Sequence, residues 1–140
     1  MAALNRTSFS SSRLPKVIDP KTHAVLDYVT TAYFLITAGM FWGRHRRAAA
    51  TALVNGLSVL GLSLITDYPG GAVPLISFDR GHRTGDIIQA AMAAGMPTLL
   101  GFGDKKQALP FRLQALNEVA VVGLTDWEGQ KVRGRFSRAA

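Results

Sequence analysis

The sequence predicts an all-α protein: an integral membrane four-helix bundle made of two tandem helical hairpins. Three observations predict it. Four apolar runs, 24–42, 48–65, 84–102 and 109–124, are each about 16–19 residues long, near the roughly 20 that cross a bilayer as a helix. Two basic turns, Gly43-Arg44-His45-Arg46-Arg47 and Gly103-Asp104-Lys105-Lys106, join the first run to the second and the third to the fourth. Finally, a polar pattern recurs: His23-x-x-x-Asp27 returns as His82-x-x-x-Asp86, and Thr66-Asp67 returns as Thr125-Asp126. The differences 82 − 23, 86 − 27, 125 − 66 and 126 − 67 all equal 59, so each unit is one hairpin of 59 residues.

Composition narrows the class. A chain of 140 residues has room for one domain, and its mean hydropathy of +0.16 is diluted by polar residues gathered in the tails and turns. There is no cysteine, which removes disulfides, thiolate ligands and c-type haem attachment. The formal charge is +7, with a pI near 10.4. That charge flanks apolar runs instead of covering one soluble face, so anionic lipid headgroups are the expected partners and nucleic acid is not.

In chain order, residues 1–22 form a basic polar tail with four serines, Arg6, Arg13, Lys16 and Lys21, and no acid before Asp19. The composition also suits an organelle transit peptide, but a basic tail resting on headgroups is the plainer expectation. Residues 23–71 make the first hairpin. In its first run Thr30, Thr31 and Thr37 can return their hydroxyls to the backbone, and Tyr28 and Trp42 sit near the two ends like an aromatic belt. In its second run Asn55 is the only strongly polar residue, and Gly56, Gly61, Ala52 and Ser58 make small faces for close helix approach. Thr66-Asp67-Tyr68-Pro69-Gly70-Gly71 stops that helix.

Residues 72–81 are an interfacial linker, and 82–127 the second hairpin, with Gly95 and Pro97 predicting a kink. Its last run carries Arg112, Gln114, Asn117 and Glu118. Residues 128–140 form a second basic tail. A soluble antiparallel bundle could use runs of this length, but long uncharged stretches without amphipathic stripes favour lipid. Two spans per unit place the pseudo-twofold axis along the membrane normal. Basic residues number 10 on the side of the tails and linker (6, 13, 16, 21, 80, 83, 131, 133, 135, 138) against 6 on the other (44, 46, 47, 105, 106, 112). A multi-pass protein of the cell inner membrane with both termini cytoplasmic is expected, although the compact Arg44 to Arg47 cluster pulls the other way.

In this arrangement the openings of helices one and three and the ends of helices two and four share one membrane face. His23, Asp27, Asp67, His82, Asp86 and Asp126 can gather there. A carboxylate at a helix C-terminus opposes the dipole, so Asp67 and Asp126 call for a donor, and a pair of His/Asp clasps that fix the bundle is the first expectation. The same set suits a divalent metal such as zinc, iron or manganese. A haem between His23 and His82 ranks below it, because four aspartates make the site strongly anionic. Glu118 lies within a span and opens the further option of proton or ion conduction, but its counterpart is Val59, which favours a hydrogen-bonded structural role.

The pattern H-x-x-x-D-Y, T-D-Y-P, H-x-x-x-D and T-D-W over about residues 21–127 resembles small uncharacterised bacterial membrane proteins built from duplicated helical hairpins, loosely those with SPW repeats. The resemblance implies a four-span inner-membrane protein and no particular activity. No G-x-S-x-G, H-E-x-x-H, P-loop or G-x-G-x-x-G is present. A non-catalytic protein, an accessory or structural subunit of a larger membrane complex held by its clasps, is therefore expected. A metal-binding protein or metal-dependent enzyme on the same residues is the alternative.

Overall fold

The structure, a computed structural model, describes residues 14–129. Most of the two expected basic tails, 1–13 and 130–140, lies outside the described residues. The fold is all-α, with four helices: α1 (Pro20–Phe41), α2 (Arg46–Leu64), α3 (Arg83–Leu99) and α4 (Leu109–Leu124). Helix α1 starts where the Asp19 carboxylate accepts from the Thr22 backbone N–H at 2.7 Å, with Pro20 in the first turn. Helix α3 ends on Gly101 at φ +75°, where the Phe102 and Gly101 N–H groups bond back to Pro97 and Thr98 carbonyls at 2.9 and 3.2 Å. Pro97 sits within the last turn of α3.

The ends of α2 and α4 are finished by backbone from elsewhere. After α2, strand β1 (Thr66–Asp67) pairs in parallel with β2 (Ile76–Ser77) in the linker, and the linker enters α3 through a widened helical turn (Phe78–His82). The Ile76 N–H donates to the Ile65 carbonyl at 3.0 Å. After α4, the segment ahead of α1 does the same work. Val17 N–H donates to the Leu124 carbonyl at 3.0 Å, and Asp126 N–H to Ile18 at 2.8 Å. Carbonyls that a helix end leaves without partners are thereby satisfied. The two bonds to Ile65 and Leu124 lie 59 positions apart on both strands, since 76 − 17 and 124 − 65 agree.

Two apolar clusters flank a polar middle. Near the basic turns, Phe34, Phe102 and Phe111 pack with Ala38, Ala48, Ala52, Ala93, Ala108 and Ala115. These alanines let the helices approach, as does Gly56, where a Cβ would come within 3.1 Å of the Phe34 Cβ. At the opposite end Ala24, Tyr68, Phe78 and Trp127 form the second cluster. Between them, His23, Asp27, Thr30, Asn55, His82, Gln89, Gln114 and Glu118 are all buried. Meanwhile Val25, Ile36, Met40, Leu57, Leu116 and Val119 are exposed, by 52 to 75 %. Helices α1 and α2 are long and apolar enough to cross a membrane; α3 and α4, at 17 and 16 residues, are shorter.

A methyl group on Gly71 would fall on the Thr66 carbonyl oxygen. Gly71→Ala should therefore cost about 1–3 kcal/mol, read as a lower melting temperature in detergent. Gly39→Ala, where an added Cβ meets nothing within 4 Å, should leave melting unchanged or raise it.

Candidate metal centre

Helix α1, and α3 together with the widened turn that leads into it, present His and Asp four residues apart, so each pair lies on one face. The two faces meet. The His23 and His82 Nε2 atoms are 3.2 Å apart, and both rings are 0 % exposed. His23 Nε2 lies 3.0 Å from Asp86 Oδ2 and 3.4 Å from Asp27 Oδ1. His82 Nε2 lies 3.1 Å from Asp27 Oδ2 and 3.3 Å from Asp86 Oδ1. Each carboxylate thus turns one oxygen to each imidazole.

The far side of each ring decides its tautomer. His23 Nδ1 is 2.8 Å from Thr125 Oγ1, and His82 Nδ1 is 2.8 Å from Thr66 Oγ1. Both threonine hydroxyls donate to carbonyls one turn back, Val121 and Leu62, at 2.6 Å. A hydroxyl has a single proton. With that proton on the carbonyl, each Oγ1 accepts from Nδ1–H, and the neutral imidazole is left with a bare Nε2. Two nitrogen lone pairs and two carboxylates then converge, which is two negative charges in a largely buried place, where the Tyr68 hydroxyl reaches Asp27 but brings no positive charge. Burial of this kind needs compensating positive charge.

Protons or a metal ion could supply it. Two imidazolium rings with centroids 5.1 Å apart would repel by about 3 kcal/mol at an effective dielectric near 20, while each would also attract two carboxylates at 3.0 to 3.4 Å. A single divalent ion also balances both carboxylates, and in addition takes up the two nitrogen lone pairs. Metal bonds of about 2.0–2.1 Å give ligand–ligand edges of about 3.3 Å in a tetrahedron and about 3.0 Å in an octahedron. The separations of 3.0 to 3.4 Å between each imidazole nitrogen and its neighbours fall in this range, each carboxylate turning a different oxygen to each ring, and one donor atom from each of the four residues lies within 4.8 Å of the others. A donor set of imidazole and carboxylate suits zinc, iron or manganese. Haem does not fit: two axial bonds would hold the nitrogens roughly 4 Å apart with the porphyrin between them, and here Asp27 and Asp86 fill that space.

The end of the bundle is closed by aromatic rings. Phe78 stands edge-on to His23 with centroids 5.3 Å apart, Trp127 reaches His23 at 5.0 Å, and Tyr68 reaches His82 at 5.0 Å. The Tyr68 hydroxyl donates to Asp27 Oδ2 at 2.8 Å. Burial, and then the neighbouring Asp27 charge, push its phenol above the ordinary value, so it stays a donor.

Of the six residues singled out from the sequence, His23, Asp27, His82 and Asp86 come together. Asp67 is exposed and Asp126 half-buried, and neither belongs to the group of four. The residues that reach the histidines from the T-D pairs are the threonines. Their recurrence at the same offset of 59 is the signal in the sequence that marks them.

Thr66→Val and Thr125→Val keep the shape but strand a buried Nδ1–H, and each should lower stability by about 1–3 kcal/mol. Serine at either position should restore most of it. Histidine side-chain 15N shifts should show Nδ1-protonated rings in the parent protein and lose that signature in the valine variants. No family model, curated protein or solved structure matches this chain, and the functional reading is carried by this geometry.

Proposed function

We propose that the protein is a multi-pass membrane bundle of two tandem hairpins that holds one divalent transition-metal ion between α1 and α3. The observation that carries this reading is the convergence of two Nδ1-anchored histidines, bare at Nε2, with two carboxylates at 3.0 to 3.4 Å. His23 and His82 would supply nitrogen, Asp27 and Asp86 oxygen, and Thr66 and Thr125 fix the rings from behind. When bound, the ion supplies positive charge that locks the two hairpins together, so the expected clasp and the expected metal site are one device.

The membrane reading rests on the distribution of side chains. Polar side chains occupy the middle of the interior between two apolar clusters, while Val25, Ile36, Met40 and Leu116 face outward, an exposure of large apolar side chains that lipid would cover. In this reading the metal end faces the cytoplasm, the basic turns lie at the other face, and both meet anionic headgroups. The protein would serve as a non-catalytic member of a larger membrane complex. Ion conduction is less well supported. Toward the basic turns the interior is packed by Phe34, Phe102 and Phe111, and the buried Thr37 and Thr51 hydroxyls there are spent on carbonyls of their own helices.

Protein purified in mild detergent, without chelator or histidine tag, should carry close to one zinc, iron or manganese ion per chain by elemental analysis. His23→Ala combined with His82→Ala should abolish retention and lower the melting temperature. A metal-free parent that melts as high as the metal-loaded one would leave only a proton-bonded clasp. Because the chain has no cysteine, single cysteines can report topology: in intact cells an impermeant maleimide should label Lys105→Cys and spare Asp67→Cys.

A further inference from the structure

A cavity of about 20 Å³ adjoins the four-residue cluster on its inward side. Three residue pairs separated by 59 positions line it: Asp27 with Asp86, Thr30 with Gln89, and Val59 with Glu118. The first pair is identical and belongs to the metal ligands. The other two differ, so the cavity presents a carboxylate from α4 where α2 offers only an isopropyl group.

Glu118 is 9 % exposed, and its two oxygens are treated differently. The Gln114 amide donates to Oε1 at 3.4 Å and to Thr30 Oγ1 at 3.0 Å, which orients the carboxyl group. Oε2 is buried with no hydrogen-bond partner among the described residues. A buried carboxyl oxygen without a donor is costly, and a polar space large enough for one water relieves it. The volume is close to what a single water needs and far below what an organic molecule needs. Asp27, Asp86 and Glu118 give such a water the two to four polar partners it requires.

Resting on the metal reading above, we infer that this cavity seats a single water that is a ligand of the ion and donates a hydrogen bond to Glu118 Oε2. The centre then has one exchangeable position, and Glu118 is a positioning residue for what occupies it. The cavity admits water and rejects anything much larger, while Leu26, Val59 and Val121 form its apolar walls.

The test uses the full chain in detergent loaded with manganese(II), with metal content measured beside each spectrum. Oxygen-17 broadening of the manganese resonance and water-proton relaxation should report one coordinated, exchangeable water in the parent protein. Glu118→Leu should retain the ion and lose that water, going from one to none. Val59→Leu, which fills the cavity from the opposite wall and leaves Glu118 in place, should do the same. Glu118→Gln should keep the water. Retained manganese with no coordinated water, or a water that survives both leucine substitutions, would overturn the assignment while leaving the metal site standing. Failure of the parent to retain manganese, iron or zinc would remove both.

Discussion

The hydroxyls of Thr66 and Thr125 each carry one proton, and in each case a carbonyl one helical turn back takes it. Everything at the centre follows from that commitment. The oxygen can then only accept, so the imidazole behind it must present N–H on one side and a lone pair on the other. Turned inward, the two lone pairs meet Asp27 and Asp86 in a space the aromatic rings close. A tautomer is normally a free choice of a neutral histidine. Here it is set by the ends of α2 and α4, two helices that contribute none of the four converging side chains.

That dependence explains why so much of the fold is devoted to helix ends. The parallel pairing of Thr66–Asp67 with Ile76–Ser77, and the bonds from Val17 and Ile18 to Leu124, hold each threonine at the height of its histidine. Gly71 allows the chain to fold back over the Thr66 carbonyl without a side chain in the way. Around this end Phe78, Tyr68 and Trp127 exclude solvent. At the other end, alanines and three phenylalanines make a dry stop. The polar layer is enclosed from both directions, and that is the condition under which uncompensated carboxylates cost the most.

Much of this was legible in the sequence. Four apolar runs with two basic turns marked the helices to within a few residues, because hydrophobic length and glycine or proline stops are local signals. The i, i+4 spacing of His23 with Asp27 and of His82 with Asp86 placed each pair on one face, and the shared offset brought the faces to one end. What could not be read was which member of Thr66-Asp67 turns inward. That depends on the short parallel pairing with a linker whose strand is only two residues long, too short to leave a periodic trace. Glu118 was visible as an ionisable residue in an apolar run. Its relation to the cluster was not, because it depends on how α4 rotates against α1 and on Val59 facing it across the same cavity.

The pairing of Ile18 with Thr125 joins the segment ahead of α1 to the end of α4, and this makes the centre depend on both hairpins at once. His23 and Asp27 stand on α1, yet the oxygen that orients His23 belongs to Thr125, at the far end of α4. Neither hairpin alone contains a complete set, since the first lacks His82, Asp86 and Thr125 and the second lacks His23, Asp27 and Thr66. Either hairpin by itself therefore offers one histidine and one aspartate on a lone helix face, without the side chains that meet them in the folded chain. The centre is complete only when the second hairpin closes against the first.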